Sequence, residues 1–408
     1  MHINDSTIAA DFEELMTGAP VPVGALYDRC RAAPPFWSGR VGGWVVTRHA
    51  DVSRVLRDET TFPPLTSGAG TTAVYGRTVL QMTGEEHRRK VAPLARRLRN
   101  PRVLEVDIKR VTRDVLCRTI DNVPDDAEVD LRERLFSRFP MAVIAQLMGL
   151  DEAAGFRQLY GTVVAAATSN MQGDPEIAAR GDAARADVYD MLRSAIEARR
   201  RDPGDDLLSE LCTMEVDGSP LPDDEVLAYA LFLFVAGVET TERTLCNFTR
   251  HAVDHPQDWQ RLARDRALVL SAIAETLRFA PPVHGLTRGV ALDAEINGTA
   301  IPAGSKVLAV IAAANRDPEV FADPETFRIG RFMDNPIREF TAASLSLAFG
   351  TGLHQCTGSM LSRLEMDLAV NALLDRFETI SWAGNRPDDR GYVLRAPADL
   401  RVVCRPRA

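Results

Sequence analysis

Apolar residues recur at helical spacing along most of the chain, and the pattern shortens to strand-like runs near the N-terminus, around residue 300 and at the C-terminal end. FWSGRVGGWVVTRHADVSRVLRD predicts two short strands around a Gly-rich turn, then a helix from about Ala50. Phe62 to Leu80 carries Pro, Gly and Thr without a sustained period, which predicts a long loop and a candidate lid. From Thr83 the signals turn helical. Thr83 with Glu86 gives a capping-box pattern, Pro93 interrupts the helix that follows, and helical periodicity dominates to about Glu210. Pro222 to Val253 reads as one helix of roughly 30 residues, about 45 Å long at a rise of about 1.5 Å per residue. Another helix covers about Ala267 to Phe279 and is stopped by Pro281 and Pro282. Strand, Asn297-Gly298 and strand then form a hairpin signal, and a final long helix follows the loop Phe349 to Gly358. The sum is a mainly α fold with small β-sheets (α+β), its β-rich region at about 20–60 and 289–312. No repeat, linker or charge block divides the chain, so residues 1–408 read as a single domain.

Composition narrows the class. Hydrophobic residues make up 45% and charged residues 26%, which excludes collagenous, disordered and low-complexity chains. Lys and Arg number 48 against 57 Asp and Glu, a formal charge of -9 and the wrong sign for wrapping nucleic acid. Against that background His87 to Arg102 stands out, with Arg88, Arg89, Lys90, Arg96, Arg97, Arg99 and Arg102 and no acidic residue. Such a run is either a solvated face or a docking patch. The six cysteines are scattered, with no pair at the spacing of zinc ribbons, redox dithiols or covalent haem attachment. MHINDSTIAADFEEL lacks a secretory pattern, and the longest apolar run, Tyr229 to Val238, is about half of the roughly 20 residues a bilayer span needs. The expectation is a soluble cytoplasmic protein with reduced thiols and no membrane contact.

The sharpest chemistry lies in FGTGLHQCTG, Phe349 to Gly358. A lone cysteine is more often a core residue in a turn. Here three glycines surround Cys356 and a helix begins just after it, so the backbone can wrap beneath a flat ligand while the helix N-terminus stabilises a buried thiolate. The spacing FxxGxHxCxG resembles the haem-thiolate signature of the cytochrome P450 superfamily, soluble bacterial class. The resemblance implies the fold of that family: a triangular-prism helical body with haem between the long central helix and the cysteine-loop helix. It implies haem b as cofactor, Cys356 as axial ligand of its iron, Phe349 packed against the thiolate, His354 near a propionate and Gly358 in the haem-binding loop. Thiolate donation to iron favours O–O cleavage, with O2 as co-substrate.

Other residues match the family pattern. Glu275 and Arg278, three apart on a helix, followed by DPETFRIGR with Arg331, resemble its ExxR triad, which is structural. In AGVETT, Gly237 costs roughly 1 kcal/mol in a helix interior, and a missing side chain either opens room for a small ligand or allows close helix packing. With the cysteine loop the stretch resembles the oxygen-binding groove, with Glu239 and Thr240 as the acid-alcohol pair that delivers protons. Arg288 occupies a propionate-binding position and His87 matches a helix histidine. The arginine usually found four residues later is Val91, with Lys90 as a substitute.

The family's substrate-facing regions map onto the loop Phe62 to Leu80, onto Phe232, Val235 and Ala236, onto Val283 to Leu286 and onto Tyr392 to Leu394, so Val283, Leu286 and Val393 are candidate contacts. His284 is either a polar anchor there or a satisfied core histidine. The mostly apolar set implies a medium-to-large, mostly apolar small molecule of secondary metabolism, hydroxylated or epoxidised in a dry pocket. Nothing resembles a flavin or iron-sulfur domain, so a separate ferredoxin and ferredoxin reductase are implied, the ferredoxin on the basic run, with the protein a monomer. Phenol coupling on the same scaffold, or a haem-binding sensor or carrier without turnover, are the competing readings.

Overall fold

The computed structural model describes residues 5–19, 21–65, 75–100, 102–150, 156–168, 174–216 and 218–407. Nine residues of the expected lid, 66–74, lie outside the described residues. The chain divides into two compact units. The first comprises Met1–Pro63, Leu116–Arg138 and Thr240–Ala408, the second Pro64–Val115 and Phe139–Glu239.

In the first unit a four-stranded sheet sets Phe36–Ser38 beside Gly43–Val46, then Lys306–Ala309, then Leu286–Gly289. The outer pairings are antiparallel and the central one parallel. Val46, Val307 and Ala309 pack with Val52, Val55 and Leu56 of the helix His49–Arg57 and with Ile296 and Ile301 of the hairpin. The hairpin turn is local chemistry: Asn297 and Gly298 both take positive φ, 45° and 75°, which a two-residue turn between twisted strands requires. The helix Leu268–Phe279 ends at Ala280, whose extended φ of -136° is what a residue before proline adopts.

The second unit is built on the helices Gly84–Leu98, Phe139–Leu147, Phe156–Thr168, Pro175–Arg201 and Leu207–Thr213. Asp206 caps the last by accepting from Ser209 N–H at 2.7 Å, and Arg97 braces the same segment through Asp205 at 2.8 Å and Glu210 at 3.0 Å. The long helix, Asp223–Asp254, runs 32 residues and belongs in part to each unit. Asp223, Asp224 and Glu225 in its first turn suit the positive end of its dipole, and Pro256 opens the next helix.

Three sequence expectations are corrected here. The helix Gly84–Leu98 runs through Pro93 because its buried face, His87, Lys90, Leu94 and Leu98, offsets the missing hydrogen bond. The capping box at its start does not form: Thr83 caps without its side chain, and Glu86 is drawn instead to Arg77. Within the stretch read as helical, Glu128–Asp130 is a strand, paired antiparallel with Arg401–Pro406 from the far end of the chain. Among the described residues no helix is long and apolar enough to cross a membrane.

Candidate active site

The loop that carries Cys356 is fixed by its own backbone. Gly350 and Gly352 sit at φ 68° and 78°, where only glycine is unstrained, and the Cys356 N–H donates to Phe349 O at 2.9 Å to close the loop. A Cβ at Gly352 would lie 3.0 Å from Arg57 Cα, so the loop also needs glycine to approach the helix His49–Arg57. Three residues on, the helix Ser359–Arg376 begins with Gly358 as its N-cap, and a side chain at 358 would lie 4.0 Å from the Cys356 sulfur. Cys356 itself is exposed on this loop. His354 is half-buried in the same loop, and the Phe349 ring meets Phe340 at 5.7 Å.

Arg288 lies on the strand Leu286–Gly289, 8% exposed, and its guanidinium makes no hydrogen bond or ion pair among the described residues. Burial pulls its guanidinium below the usual range, with the Glu59 charge opposing. An accessible sulfur on a rigid loop and a buried cation lacking an anion, both in the first unit, are the donor set that an iron porphyrin with carboxylate edges needs. The residues present therefore fit haem.

In the second unit His87 is buried on the helix Gly84–Leu98. Lys90, expected to stand in for the arginine absent at Val91, is corrected: its ammonium sits 2.6 Å from Glu225 and 3.5 Å from Glu86, so its charge is spent inside this unit. Gly237 is corrected likewise. A Cβ there would lie 2.6 Å from Ile144 Cδ1, so the space is taken by the helix Phe139–Leu147 and not by a small ligand. Gly237→Ala should lose more by crowding Ile144, about 1–3 kcal/mol, than the roughly 1 kcal/mol gained in helix propensity. Urea midpoints check this, with Ile144→Ala expected to restore the loss; a Gly237→Ala protein more stable than its parent would rule out the contact. Glu239 is buried, while Thr240, the next residue, is half-buried and its carbonyl accepts from the Thr244 hydroxyl at 2.8 Å.

The candidate substrate residues fall in two sets. On the long helix Phe232 and Val235 are half-buried and buried and Ala236 is exposed, and the Phe232 ring meets Tyr75 at 6.1 Å. In the first unit Val283 bridges Leu394, and His284 N–H donates to Val393 O at 3.0 Å, bringing both expected segments side by side with Leu286 half-buried nearby in sequence. His284 is a core histidine, not an anchor: it is buried, its Nδ1 lies 2.9 Å from Tyr27 Oη, and burial with the Arg395, Arg316 and Arg250 charges pushes it well below the usual histidine range.

The structure brings Glu275, Arg278 and Arg331 together. Arg278 Nε and Nη2 donate to the two carboxylate oxygens of Glu275, both at 2.7 Å, and Arg331 Nε donates to each at 3.0 Å. Two groups escaped the sequence reading. Tyr75 is buried beside Phe232, and burial with the nearby Glu239 charge pushes its phenol up. Glu365 is fully buried and bonded to Thr241 at 3.3 Å; its signal was an acid among Leu361, Leu364 and Met366 of the last helix.

Comparison with known proteins shows the family. The family model described as Cytochrome P450 matches residues 174–391. The chain is 33% identical over 368 residues to erythromycin C-12 hydroxylase of Saccharopolyspora erythraea, covering 88% of each. Among solved structures, cytochrome P450 CYP109Q5 from Chondromyces apiculatus superposes with a TM-score of 0.81 at 27% identity, covering 98% of both chains. A mutant of P450 EryK in complex with erythromycin B gives 0.78 at 30% identity, over 95% of this chain and 98% of that one. The chain belongs to the cytochrome P450 family and is one of its monooxygenases, an enzyme of haem iron and O2.

Proposed function

We propose that this monooxygenase hydroxylates or epoxidises a medium-to-large, mostly apolar small molecule of secondary metabolism, with haem b held through Cys356. The observation that carries the reading is the exposed Cys356 sulfur on its backbone-locked glycine loop. Relatives named erythromycin C-12 hydroxylase and 6-deoxyerythronolide B hydroxylase support the substrate class. When bound, haem supplies an oxidant made from O2 that can attack unactivated C–H bonds.

The chain's own residues do the rest. Arg288, with His87 and His354, binds the carboxylates at the haem edge, and Phe349 and Gly358 shape the sulfur's surroundings. Phe232, Val235, Ala236, Val283, Leu286 and Val393 exclude water and hold the target carbon, because a powerful oxidant in a wet pocket is wasted on solvent. The Glu239 carboxyl relays protons from outside, and the Thr240 hydroxyl hands them on where oxygen is activated. Electrons come from a separate ferredoxin and its reductase. Arg88, Arg96, Arg99 and Arg102 are exposed and suit an acidic partner, whereas Arg97, committed to Asp205 and Glu210, is an internal brace. The chain is taken to work as one domain and as a monomer in the cytoplasm.

Glu239→Gln and Thr240→Ala test the proton path. With a surrogate ferredoxin system and a substrate found by spectral screening, Glu239→Gln should slow oxygen-dependent turnover about 100-fold, near the lower end for a lost acid–base group. Thr240→Ala should go on consuming NADPH while releasing peroxide in place of product. Parent-like rates and peroxide yields in both variants would remove these two residues from the mechanism.

A further inference from the structure

The first unit holds a cavity of about 40 Å³ walled by Tyr27, Asn247, Arg250, His284, Arg316 and Arg395. At roughly 10–15 Å³ for each water-sized occupant, it has room for about three. Three guanidiniums meet at this wall and are served unequally. Arg316 Nε and Nη2 donate to Phe279 O at 3.1 Å and 2.7 Å, and its Nη1 donates to Glu325 at 2.5 Å. Arg250 pairs with Asp389, which also lines the cavity. Arg395 is 4% exposed, its guanidinium donates once, from Nη1 to Gly391 O at 3.0 Å, and its Nε stands 4.0 Å from Asp389 Oδ2. A buried group with five N–H donors thus has one hydrogen-bond acceptor among the described residues.

The charges do not balance either. Glu325 and Asp389 stand against the three guanidiniums, and among the described residues no third carboxylate pairs with them, so one positive charge is left over. The same three arginines reinforce burial in keeping His284 neutral, which marks the field at this wall as positive. Asn247 contributes an acceptor: its Nδ2 donates to Ala280 O at 2.9 Å and Arg395 O at 3.4 Å, while its Oδ1 is buried without a hydrogen-bond partner.

We propose that this cavity binds one small monovalent anion of chloride size together with water. The anion accepts from the spare N–H groups of Arg395 and balances the third guanidinium, and a water donates to Asn247 Oδ1. A buried charge is stable only beside its opposite, and a buried carbonyl oxygen only beside a donor. A divalent anion would overshoot the single spare charge. The site ties the helix Val23–Ala32 and the long helix to the chain at Arg395, whose backbone N–H donates to Pro282 O at 2.9 Å.

Thermal unfolding of the haem-loaded protein in sodium chloride, against sodium gluconate at equal ionic strength, tests the site, since gluconate is too large for it. Chloride at ten times its dissociation constant should raise the midpoint by about 2 °C, and the rise should saturate. Bromide should substitute for chloride, and crystals grown in bromide should show an anomalous peak beside the Arg395 guanidinium. Arg395→Met should abolish the chloride response. Asn247→Asp, which sets a fixed negative charge in the wall, should abolish it too, and takes the place of Arg395→Met if that variant does not fold. Equal midpoints in the two salts, bromide peaks only elsewhere, or a parent-like chloride response in either variant would each overturn the inference.

Discussion

Replacing Cys356 with serine should abolish the thiolate-type carbon monoxide spectrum of the reduced protein and cut monooxygenase turnover by more than about 100-fold, the upper range for losing a mere outer-shell partner of a metal ligand. Serine fits the space of cysteine, and the loop's backbone supports survive the exchange. Its shape comes from Gly350 and Gly352 in the left-handed region and from the Cys356 N–H bond to Phe349 O, which serine retains. The fold should therefore stand, with an unchanged urea midpoint for the haem-free chain. What is lost is the donor: a thiolate forms near neutral pH beside a helix N-terminus, whereas a serine hydroxyl keeps its proton. The spectrum read with the turnover checks this, since a chain that folds, takes up haem and keeps the parent's spectrum and rate after Cys356→Ser would leave sulfur no part in the chemistry.

The local features of the fold could be read from the sequence because each depends on residues close along the chain. Asn297-Gly298 set its hairpin, Pro281 stopped the helix before it, and the spacing of Glu275 and Arg278 put both on one helix face. What the sequence could not give was set by partners far along the chain. Val129 reads as part of a helical stretch until Val402 pairs with it. Lys90 reads as a haem contact until Glu225 claims it, and Arg97 as a surface cation until Asp205 and Glu210 do. Gly237 reads as room for a small ligand until Ile144 fills it, and His284, open either way on sequence, is decided by Tyr27. Glu365 was missed for the same reason, since an acid on an apolar face has no meaning until Thr241 is found against it. Cys356 was legible because the loop around it is set by glycines and a backbone bond close along the chain.

Removing the charge of Glu275 should cost the fold about 3–5 kcal/mol, the loss seen when one partner of a buried ion pair is taken away. This carboxylate accepts from Arg278 Nε and Nη2, from Arg331 Nε and from the Arg328 backbone N–H at 2.9 Å, and both Glu275 and Arg278 have 0% exposure. Arg278 also donates to the carbonyls of Asn315 at 3.1 Å and Pro324 at 2.9 Å, and Arg331 to those of Ala322 at 2.6 Å and Thr326 at 2.8 Å. Those carbonyls hold guanidinium groups but do not neutralise them. Glu275→Gln keeps the volume and leaves two buried cations facing a neutral amide, a large share of a total stability of about 5–15 kcal/mol. Arg331→Met is the milder counterpart, because the bidentate Glu275–Arg278 pair survives it with charges balanced. Urea unfolding of the haem-free and haem-loaded proteins should therefore rank parent, Arg331→Met and Glu275→Gln in falling order, with Glu275→Gln poorly soluble or unable to retain haem. A Glu275→Gln protein within about 0.5 kcal/mol of the parent, the range of an inert surface change, would mean that the triad does not hold this core together.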